Sequence, residues 1–435
     1  MPTSRPAVGG RGRRARAGSM GPLLVLALAS CTKGAPPRDA SALEGEGRDA
    51  LIAEARHAAH GGDHAEARLR YEELLRRDRG DDEARAGLAR VDAWDGAYAR
   101  AERGYREVLS RHPEDDEVRA GLFDVLSWAG RWDAAERVLD EAPAGDRPLL
   151  LAKRARLAQV RGDLTGAKKL ADRAVVLSEG APEIRAVRDR ITTGSARAAV
   201  RAQLFPRGYP DLWGIDLGFT QAFGHLVLAF DTEQGTRPSS AAGGRAYGAT
   251  YGLGATWLFG YGFSLGAEGA FGAPAAGVPL GRARVTGTAP ILPWLGVGAA
   301  YTFRRYADGV DTHGASPSLA ITIGEALRID ATYWLTYVRA EEGRLVHAFG
   351  VSAGRTLLPW LSLRAGYAHG AEAERATAAA FQLLDLTSDG GFAGAEIAPS
   401  RWLRLYPLYA FTLRGPRGAE RIAIHTLEMG TAIRW

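Results

Sequence analysis

The spacing of apolar residues changes near residue 200. Between about 48 and 195 they recur every three or four positions, as in amphipathic helices. Between about 200 and 435, short stretches alternate apolar and polar residues and end at tight turns. Alternation over about ten residues is typical of strands with one face in lipid and the other in a lumen. The pattern predicts an α + β multidomain chain, with a helical domain at 48–195 and an antiparallel transmembrane β-barrel at 200–435.

The helical half repeats with a nearly constant period. One short sequence motif, called the phrase below, occurs four times; each copy begins with a glycine and has an alanine five residues later. The glycines are Gly62, Gly96, Gly130 and Gly162, and the alanines are Ala67, Ala101, Ala135 and Ala167. Glycine permits the left-handed turn that ends the first helix of a pair, and alanine lets the second helix approach closely. The phrase resembles tetratricopeptide repeats, so we expect an α-solenoid of four units over about 48–181 that binds a protein partner.

Residues of the second half separate cleanly onto two strand faces. In the segment 295–304, Tyr301 and Phe303 fall on the apolar face, and Thr302 and Arg304 fall on the polar face. A soluble sandwich would also alternate in this way. Aromatic residues at so many strand ends favour a barrel in a membrane.

Tight turns give the predicted strand number. Five recur, at Leu258–Tyr261, Ile291–Trp294, Gly324–Ala326, Leu357–Trp360 and Ala398–Trp402. If both ends of the barrel lie in the periplasm, five turns predict about 12 strands. A hairpin around Phe223 and Gly224 would give thirteen, and an even number favours one long broken strand over 212–232. Ten and fourteen strands remain as alternatives.

Tryptophans cluster at these turns and at the two ends of the predicted barrel. We expect six of them to form an aromatic girdle at the periplasmic membrane interface. They are Trp213, Trp257, Trp294, Trp360, Trp402 and Trp435.

The N-terminal region has the pattern of a bacterial lipoprotein signal. Several arginines precede the apolar run Gly21–Ser30, and Cys31, the only cysteine, follows it. The predicted signal peptide covers 1–31, with Cys31 as the lipidation site, and 32–47 is a flexible tether. The alternative is an ordinary cleavage site near Ala27–Ala29. Either reading predicts a bacterial outer-membrane barrel with the repeats in the periplasm.

Charge and composition exclude several other functions. The formal net charge of +5 gives no reason to expect a nucleic-acid partner. No phosphate-binding loop, metal-binding motif or paired catalytic carboxylate is present, and His313, His369 and Ser362 do not form a catalytic dyad on one strand. We therefore expect no enzymatic activity, cofactor or metal, and outer-membrane lipid as one partner.

The alternation also nominates side chains that face the lumen. Seven arginines and five acids form this predicted set: Asp216, Glu268, Arg282, Arg284, Arg304, Arg328, Asp330, Arg364, Glu396, Arg404, Glu428 and Arg434. Such a ladder could select an anionic or sugar-like solute. Alternatively, the charges could pair with one another and plug a narrow barrel.

The domain order, the Trp-bearing turns and the aromatic C-terminus resemble the YaiO-type outer-membrane barrel family, in which a barrel often follows tetratricopeptide repeats. The resemblance covers about 200–435 for the barrel, and it carries over no site residue. The same domain order is similar to that of larger exopolysaccharide-export porins, whose barrels are longer. We therefore expect a role in export or assembly of an envelope polymer such as an exopolysaccharide. The alternative is a protein-interaction scaffold whose barrel is only an anchor.

Overall fold

The computed structural model describes residues 45–206, 211–238, 245–273, 279–307, 309–324, 327–339, 343–370, 386–416 and 421–435. The predicted signal peptide, Cys31 and most of the predicted tether lie outside the described residues. The chain divides into two compact units, Met1–Ala84 and Arg85–Trp435.

The first unit contains the first helix pair. Its helices are α1 (Arg48–His60) and α2 (His64–Arg77). Asp63 caps α2, because its carboxylate accepts a hydrogen bond from the backbone N–H of Glu66 at 3.1 Å. Ala67 and Tyr71 of α2 are buried, as expected for side chains that meet the partner helix.

Seven more helices complete the helical half. They are α3 (Asp82–Trp94), α4 (Tyr98–Arg111), α5 (Asp116–Trp128), α6 (Trp132–Asp140), α7 (Pro148–Val160), α8 (Leu164–Leu177) and α9 (Pro182–Arg190). Phe123, Leu126 and Leu139 are at most 1 % exposed and lie in the core that joins the middle repeats.

The structure confirms the repeat chemistry predicted from the sequence. The four phrase glycines follow α1, α3, α5 and α7, and each has a positive φ, between 73° and 90°. A side chain would strain that backbone conformation, so the glycine ends the helix. The four phrase alanines are all fully buried. The aromatic or leucine position four residues later is also buried in Tyr71, Tyr105 and Leu139.

The second half is a closed antiparallel barrel of fourteen strands. The strands are β1 (Gly194–Leu204), β2 (Leu212–Phe223), β3 (Leu226–Pro238), β4 (Arg245–Gly260), β5 (Phe263–Gly272), β6 (Gly281–Leu292), β7 (Leu295–Arg305), β8 (Asp311–Ile323), β9 (Leu327–Arg339), β10 (Arg344–Leu358), β11 (Leu361–Gly370), β12 (Leu386–Ile397), β13 (Leu403–Pro416) and β14 (Ile422–Arg434).

The predicted number of about 12 strands is wrong, for two reasons. The predicted barrel start at residue 200 falls inside β1, which begins at Gly194 and pairs with both β2 and β14. Residues 212–232 do not form one broken strand, because the chain reverses at Gly224, where φ is +62°. A sixth short turn therefore joins β2 to β3, and the even strand number is kept.

The barrel has two distinct ends. The six short connections define the short-turn end, where the chain also enters at Gly194 and finishes at Trp435. The other connections define the long-loop end. Five tryptophans of the predicted girdle lie at the short-turn end with exposed side chains, namely Trp257, Trp294, Trp360, Trp402 and Trp435.

The predicted position of Trp213 is wrong. Trp213 lies near the start of β2 and pairs with Ala202, close to the end of β1 that is far from Gly194. Because β1 carries the chain across the barrel first, β2 starts at the long-loop end. Trp213 is exposed there, opposite the other five tryptophans.

Replacing Ala101 by arginine should destabilise the repeats. Ala101 is fully buried where α4 meets its neighbours, so a charged side chain there should lower the free energy of unfolding by about 3–5 kcal/mol. Thermal melting of the full-length protein, followed by circular dichroism at a helix-sensitive wavelength, measures the loss. Ala99→Arg changes an exposed residue of the same helix and serves as the control. Equal melting temperatures for the two variants would contradict the assignment of Ala101 to the helix contact.

Candidate functional site

The barrel lumen is lined by the side chains that alternate with the exposed apolar ones. In β2, for example, Asp216 lies between the exposed Ile215 and Leu217 and points to the opposite face. The same alternation places the twelve side chains nominated from the sequence on the inner face. They are Asp216, Glu268, Arg282, Arg284, Arg304, Arg328, Asp330, Arg364, Glu396, Arg404, Glu428 and Arg434.

The largest cluster of charges surrounds Arg201 of β1. Its guanidinium pairs with Asp216 of β2, with Glu428 of β14 at 3.3 Å and with Glu233 of β3 at 3.5 Å. The four side chains are partly exposed, between 22 % and 38 %. One arginine therefore holds three carboxylates at the closing seam of the barrel. Sequence reasoning missed Arg201 and Glu233, because it placed neither β1 nor the turn before β3.

Two further clusters of charges lie on the inner face, one on each side of the cluster around Arg201. Arg282 of β6 pairs with Glu268 of the adjacent β5 and lies 3.9 Å from Asp231 of β3. Glu396 of β12 forms ion pairs with Arg404 at 3.2 Å and with Arg434 at 3.5 Å. These pairs join strands that are at most three positions apart, so the charges lie along the wall and do not bridge opposite sides of the lumen.

Two aromatic rings lie on the inner face of β9 to β12. The ring of Trp334 lies over Gly350 of β10, and the ring of Phe392 lies over Gly366 of β11. A Cβ atom at Gly350 would come within 2.9 Å of the indole, so the glycine is what lets the ring lie against the wall. The Arg364 guanidinium lies 5.7 Å from the centre of the Phe392 ring, within the range of a cation–π contact.

Hydroxyl groups also line the inner face of β7 to β10. Thr302, Thr312, Thr336 and Ser352 of β7 to β10 are each at most 8 % exposed. The Oγ1 atoms of Thr302 and Thr312 are buried without a hydrogen-bond partner among the described residues. The lumen wall is therefore mixed: ion pairs line β12 to β14 and β1 to β6, the rings of Trp334 and Phe392 lie on β9 and β12, and the Arg328–Asp330 pair at 2.9 Å lies on β9 as well.

The last repeat contacts the short-turn end of the barrel. The backbone N–H of Tyr261 donates to the Val160 carbonyl at 2.5 Å, and that of Leu164 donates to the Gly224 carbonyl at 3.1 Å. The Gly224 N–H in turn donates to Thr165 Oγ1 at 2.9 Å. The turns β2–β3 and β4–β5 are thus hydrogen-bonded to the loop between α7 and α8, within the unit Arg85–Trp435.

Side chains reinforce this joint. Hydrogen bonds to Glu136 and, with a smaller effect, to Tyr261 raise the pKa of Arg161. Partial burial lowers this pKa, but the hydrogen bonds outweigh it. On the other side of the entry strand, Asp189 of α9 pairs with Arg188 at 2.7 Å and with Arg401 of the β12–β13 turn at 3.0 Å. Burial raises the pKa of Asp189, but the two arginines outweigh it and the pKa is lowered overall.

Other chemistry is limited in the part of the chain that the structure describes. No group of three or more histidine, cysteine, aspartate or glutamate side chains could hold a metal ion there. None of the helices described is both long enough and apolar enough to cross a membrane. Two of the catalytic candidates, His313 and His369, lie on the outer face of the barrel, and Ser362 hydrogen-bonds to Thr356 at 3.1 Å.

Comparisons with known proteins found similarities to each half of the chain. Residues 94–157 match the tetratricopeptide-repeat family model. The barrel is similar to the CymD monoaromatic hydrocarbon channel, with 8 % identity over 57 % of this chain and 91 % of that chain and a TM-score of 0.41. It is also similar to a bacterial polysaccharide outer membrane secretin, with 12 % identity over 56 % and 99 % and a TM-score of 0.38.

The helical half is similar to pilF of Pseudomonas aeruginosa, with 20 % identity over 33 % of this chain and 67 % of that chain and a TM-score of 0.30. No curated protein matches the chain. The chain therefore combines tetratricopeptide repeats with a closed antiparallel β-barrel of fourteen strands.

Removing the Arg201 charge should destabilise the barrel. Arg201→Gln leaves Asp216, Glu233 and Glu428 close together without their cation, and because the site is partly exposed we expect a loss of about 2–3 kcal/mol. The temperature at which the folded barrel loses its faster gel migration reports this loss. Arg355→Gln, on the exposed outer face, is the control. Adding Glu428→Gln should restore part of the stability, and no restoration would argue against the cluster.

Proposed function

We propose that the protein is a non-enzymatic outer-membrane channel that serves export or assembly of an envelope polymer, most plausibly an exopolysaccharide. In this proposal the repeats lie in the periplasm, the long loops face outward, and acylated Cys31 adds a lipid anchor. The lumen wall, which combines ion pairs with the aromatic rings of Trp334 and Phe392, is the observation that carries the proposal. The family resemblance of the barrel to the YaiO type belongs to the same proposal and supplies the domain order.

The dimensions of the barrel leave room for a solute. Fourteen strands spaced about 4.8 Å apart and tilted by about 40° enclose a backbone cylinder roughly 28 Å across. Side chains fill barrels of eight strands, whereas barrels of sixteen strands leave an aqueous channel. The ion pairs described above lie along the wall, which favours an open path through the centre.

The chemistry of the wall suits a sugar polymer. A sugar ring has apolar C–H faces that stack on aromatic rings, and hydroxyl edges that exchange hydrogen bonds with charged and hydroxyl groups. Trp334 and Phe392 present ring faces on one side of the lumen. The clusters around Arg201 and Arg282 present charged hydrogen-bonding groups on the other side.

The joint with the last repeat supports a delivery role for the helical half. Hydrogen bonds from Leu164 and to Val160 hold the repeat against two turns of the barrel mouth. A partner bound by the repeats would therefore be held beside the periplasmic opening.

The second candidate function is a protein-interaction scaffold in which the barrel is an anchor and no solute passes. The same joint favours it, because Asp189–Arg401 and the turn contacts make the barrel a rigid platform for the repeats. The two candidates differ in one measurable property, the conductance of the lumen.

Single-channel currents through a lumen that a thiol reagent can block test the channel proposal. Ala300 faces the lumen in the middle of β7, and Ala299 beside it faces outward. In a Cys31→Ser background, we expect single-channel currents in planar bilayers for both Ala300→Cys and Ala299→Cys. A bulky thiol reagent should reduce the current of Ala300→Cys several-fold and leave Ala299→Cys unchanged. Absence of current in both proteins, each with the gel migration of a folded barrel, would favour the scaffold.

A second measurement tests the substrate class. Added maltoheptaose, a neutral linear oligosaccharide, should interrupt the current of the wild-type channel transiently. Trp334→Ala should shorten these interruptions several-fold, because one stacked aromatic is worth about 0.5–1.5 kcal/mol. Tyr337→Ala removes an aromatic from the outer face of the same strand and should leave the interruptions unchanged. Equal interruptions in all three proteins would exclude a sugar site at Trp334.

A further inference from the structure

A regular belt of polar pairs lies on the outer face of the barrel. In four successive strand pairs, β7–β8, β9–β10, β11–β12 and β13–β14, a tyrosine of the first strand hydrogen-bonds to a polar side chain of the second. The four pairs are Tyr301–His313, Tyr333–His347, Tyr367–Asp389 and Tyr409–His425; we call them the tyrosine belt. Each tyrosine is 42–49 % exposed and lies on the outward side of its strand.

The belt fixes the histidine rings in one orientation. Tyr301 Oη lies 2.7 Å from His313 Nδ1, and Tyr409 Oη lies 2.8 Å from His425 Nδ1. A phenylalanine packs against each ring, since the centres of Phe303 and His313 are 5.2 Å apart, and those of Phe411 and His425 are equally close. When the tyrosine hydroxyl donates to Nδ1, the neutral ring carries its proton on Nε2. In the described part of the barrel, Nε2 of these histidines has no partner.

Three arginines lie closer to the long loops than the tyrosine belt does. Arg305 ends β7 and its side chain is 57 % exposed, and Arg339 ends β9 and is exposed. Asp311 of β8 lies between them in register and pairs with Arg305 at 3.2 Å. Arg421 precedes β14 and pairs with Asp389. Three arginines and three histidine N–H donors thus face two carboxylates, which leaves the surface with an excess of donors for an anion.

The belt occurs on one side of the barrel only, among the described residues. The outward aromatics of β1 to β6 include the stacked pair Tyr251–Phe271 and one tyrosine that hydrogen-bonds to a neighbouring polar side chain, Tyr247–Gln234 at 2.6 Å, but no tyrosine–histidine pair. An aromatic girdle that only marked the membrane interface would be expected around the whole circumference. The one-sided arrangement of Nε2 donors beneath arginines therefore requires a more specific occupant than hydrocarbon.

We propose that the tyrosine belt, with the arginines above it, is a binding surface for the phosphate groups of a phosphorylated glycolipid of the outer leaflet. Charge complementarity and position carry the assignment: arginine and histidine N–H groups donate to phosphate oxygens, and the surface lies toward the long-loop end. The outward orientation of that end belongs to the proposed function. Lipid binding itself does not require the lumen to conduct.

Lipid binding by the full-length protein in detergent micelles tests this surface. Native mass spectrometry with diphosphoryl lipid A should show retained lipid on the wild type. The triple variant His313→Phe, His347→Phe and His425→Phe keeps the aromatic rings and removes the Nε2 donors. We expect its affinity to fall about tenfold, as three hydrogen bonds of modest net strength are lost. His225→Phe, at the short-turn end beside Trp257, is the matched control and should bind as the wild type does.

Further measurements distinguish a phosphorylated glycolipid from other lipids and from a purely structural role of the belt. Lipid A without its phosphates, or phosphatidylglycerol, should bind more weakly than diphosphoryl lipid A; equal binding would overturn the assignment to a phosphorylated glycolipid. Unchanged affinity in the triple variant would mean that the pairs only join the strands. If that variant does not fold, Tyr301→Phe with Tyr409→Phe removes the hydroxyls that orient two rings and should also weaken binding. A channel that does not conduct but retains the lipid would contradict the proposed function alone.

Discussion

Closure of the barrel by pairing of β1 with β14 is the constraint on which the rest of the structure depends. A strand edge left open in a membrane would expose backbone N–H and C=O groups without partners, at a cost of several kcal/mol for each group. The pairing from Ser195 with Arg434 to Leu204 with His425 removes both edges. It also brings the entry and the exit of the barrel to the same end, since the Gly194 and Thr193 N–H groups donate to the Trp435 carbonyl. The last repeat must then lie at the short-turn end.

That placement explains why the joint is built from backbone atoms and short turns. Helix α9 is followed almost directly by β1, so the repeat before it cannot move far from the barrel mouth. The turns at Gly224 and Tyr261 are short enough to come into hydrogen-bonding distance of the α7–α8 loop, and the Tyr261 side chain adds a hydrogen bond to Arg161. The last repeat is therefore held at a fixed place relative to the lumen.

Strand alternation divides the chemistry of the barrel between two environments. Thr302 is buried on the inner face, and its neighbour Tyr301 forms part of the outer belt. A shift of one residue in any strand would exchange these roles, because successive side chains point to opposite faces. The ion pairs, hydroxyls and aromatic rings of the lumen and the polar pairs of the outer face therefore depend on the same register. This coupling makes both surfaces sensitive to the closure at β1 and β14.

Local sequence determined the helical repeats and most of the strands. The phrase glycines ended helices as expected, because only a residue without a side chain adopts a positive φ without strain there. Alternation likewise placed residues such as Asp216 and Glu428 on one face. It could not reveal β1, whose outer face is mostly alanine, with Val200 and Leu204 as its larger apolar residues, and which follows a helix without a strong turn signal. The strand forms because it pairs with β14, so Arg201 meets Glu428 across 227 positions of sequence. Tertiary structure alone decided the number of strands, the side of Trp213 and the partners within the lumen, because each depends on pairing between distant strands.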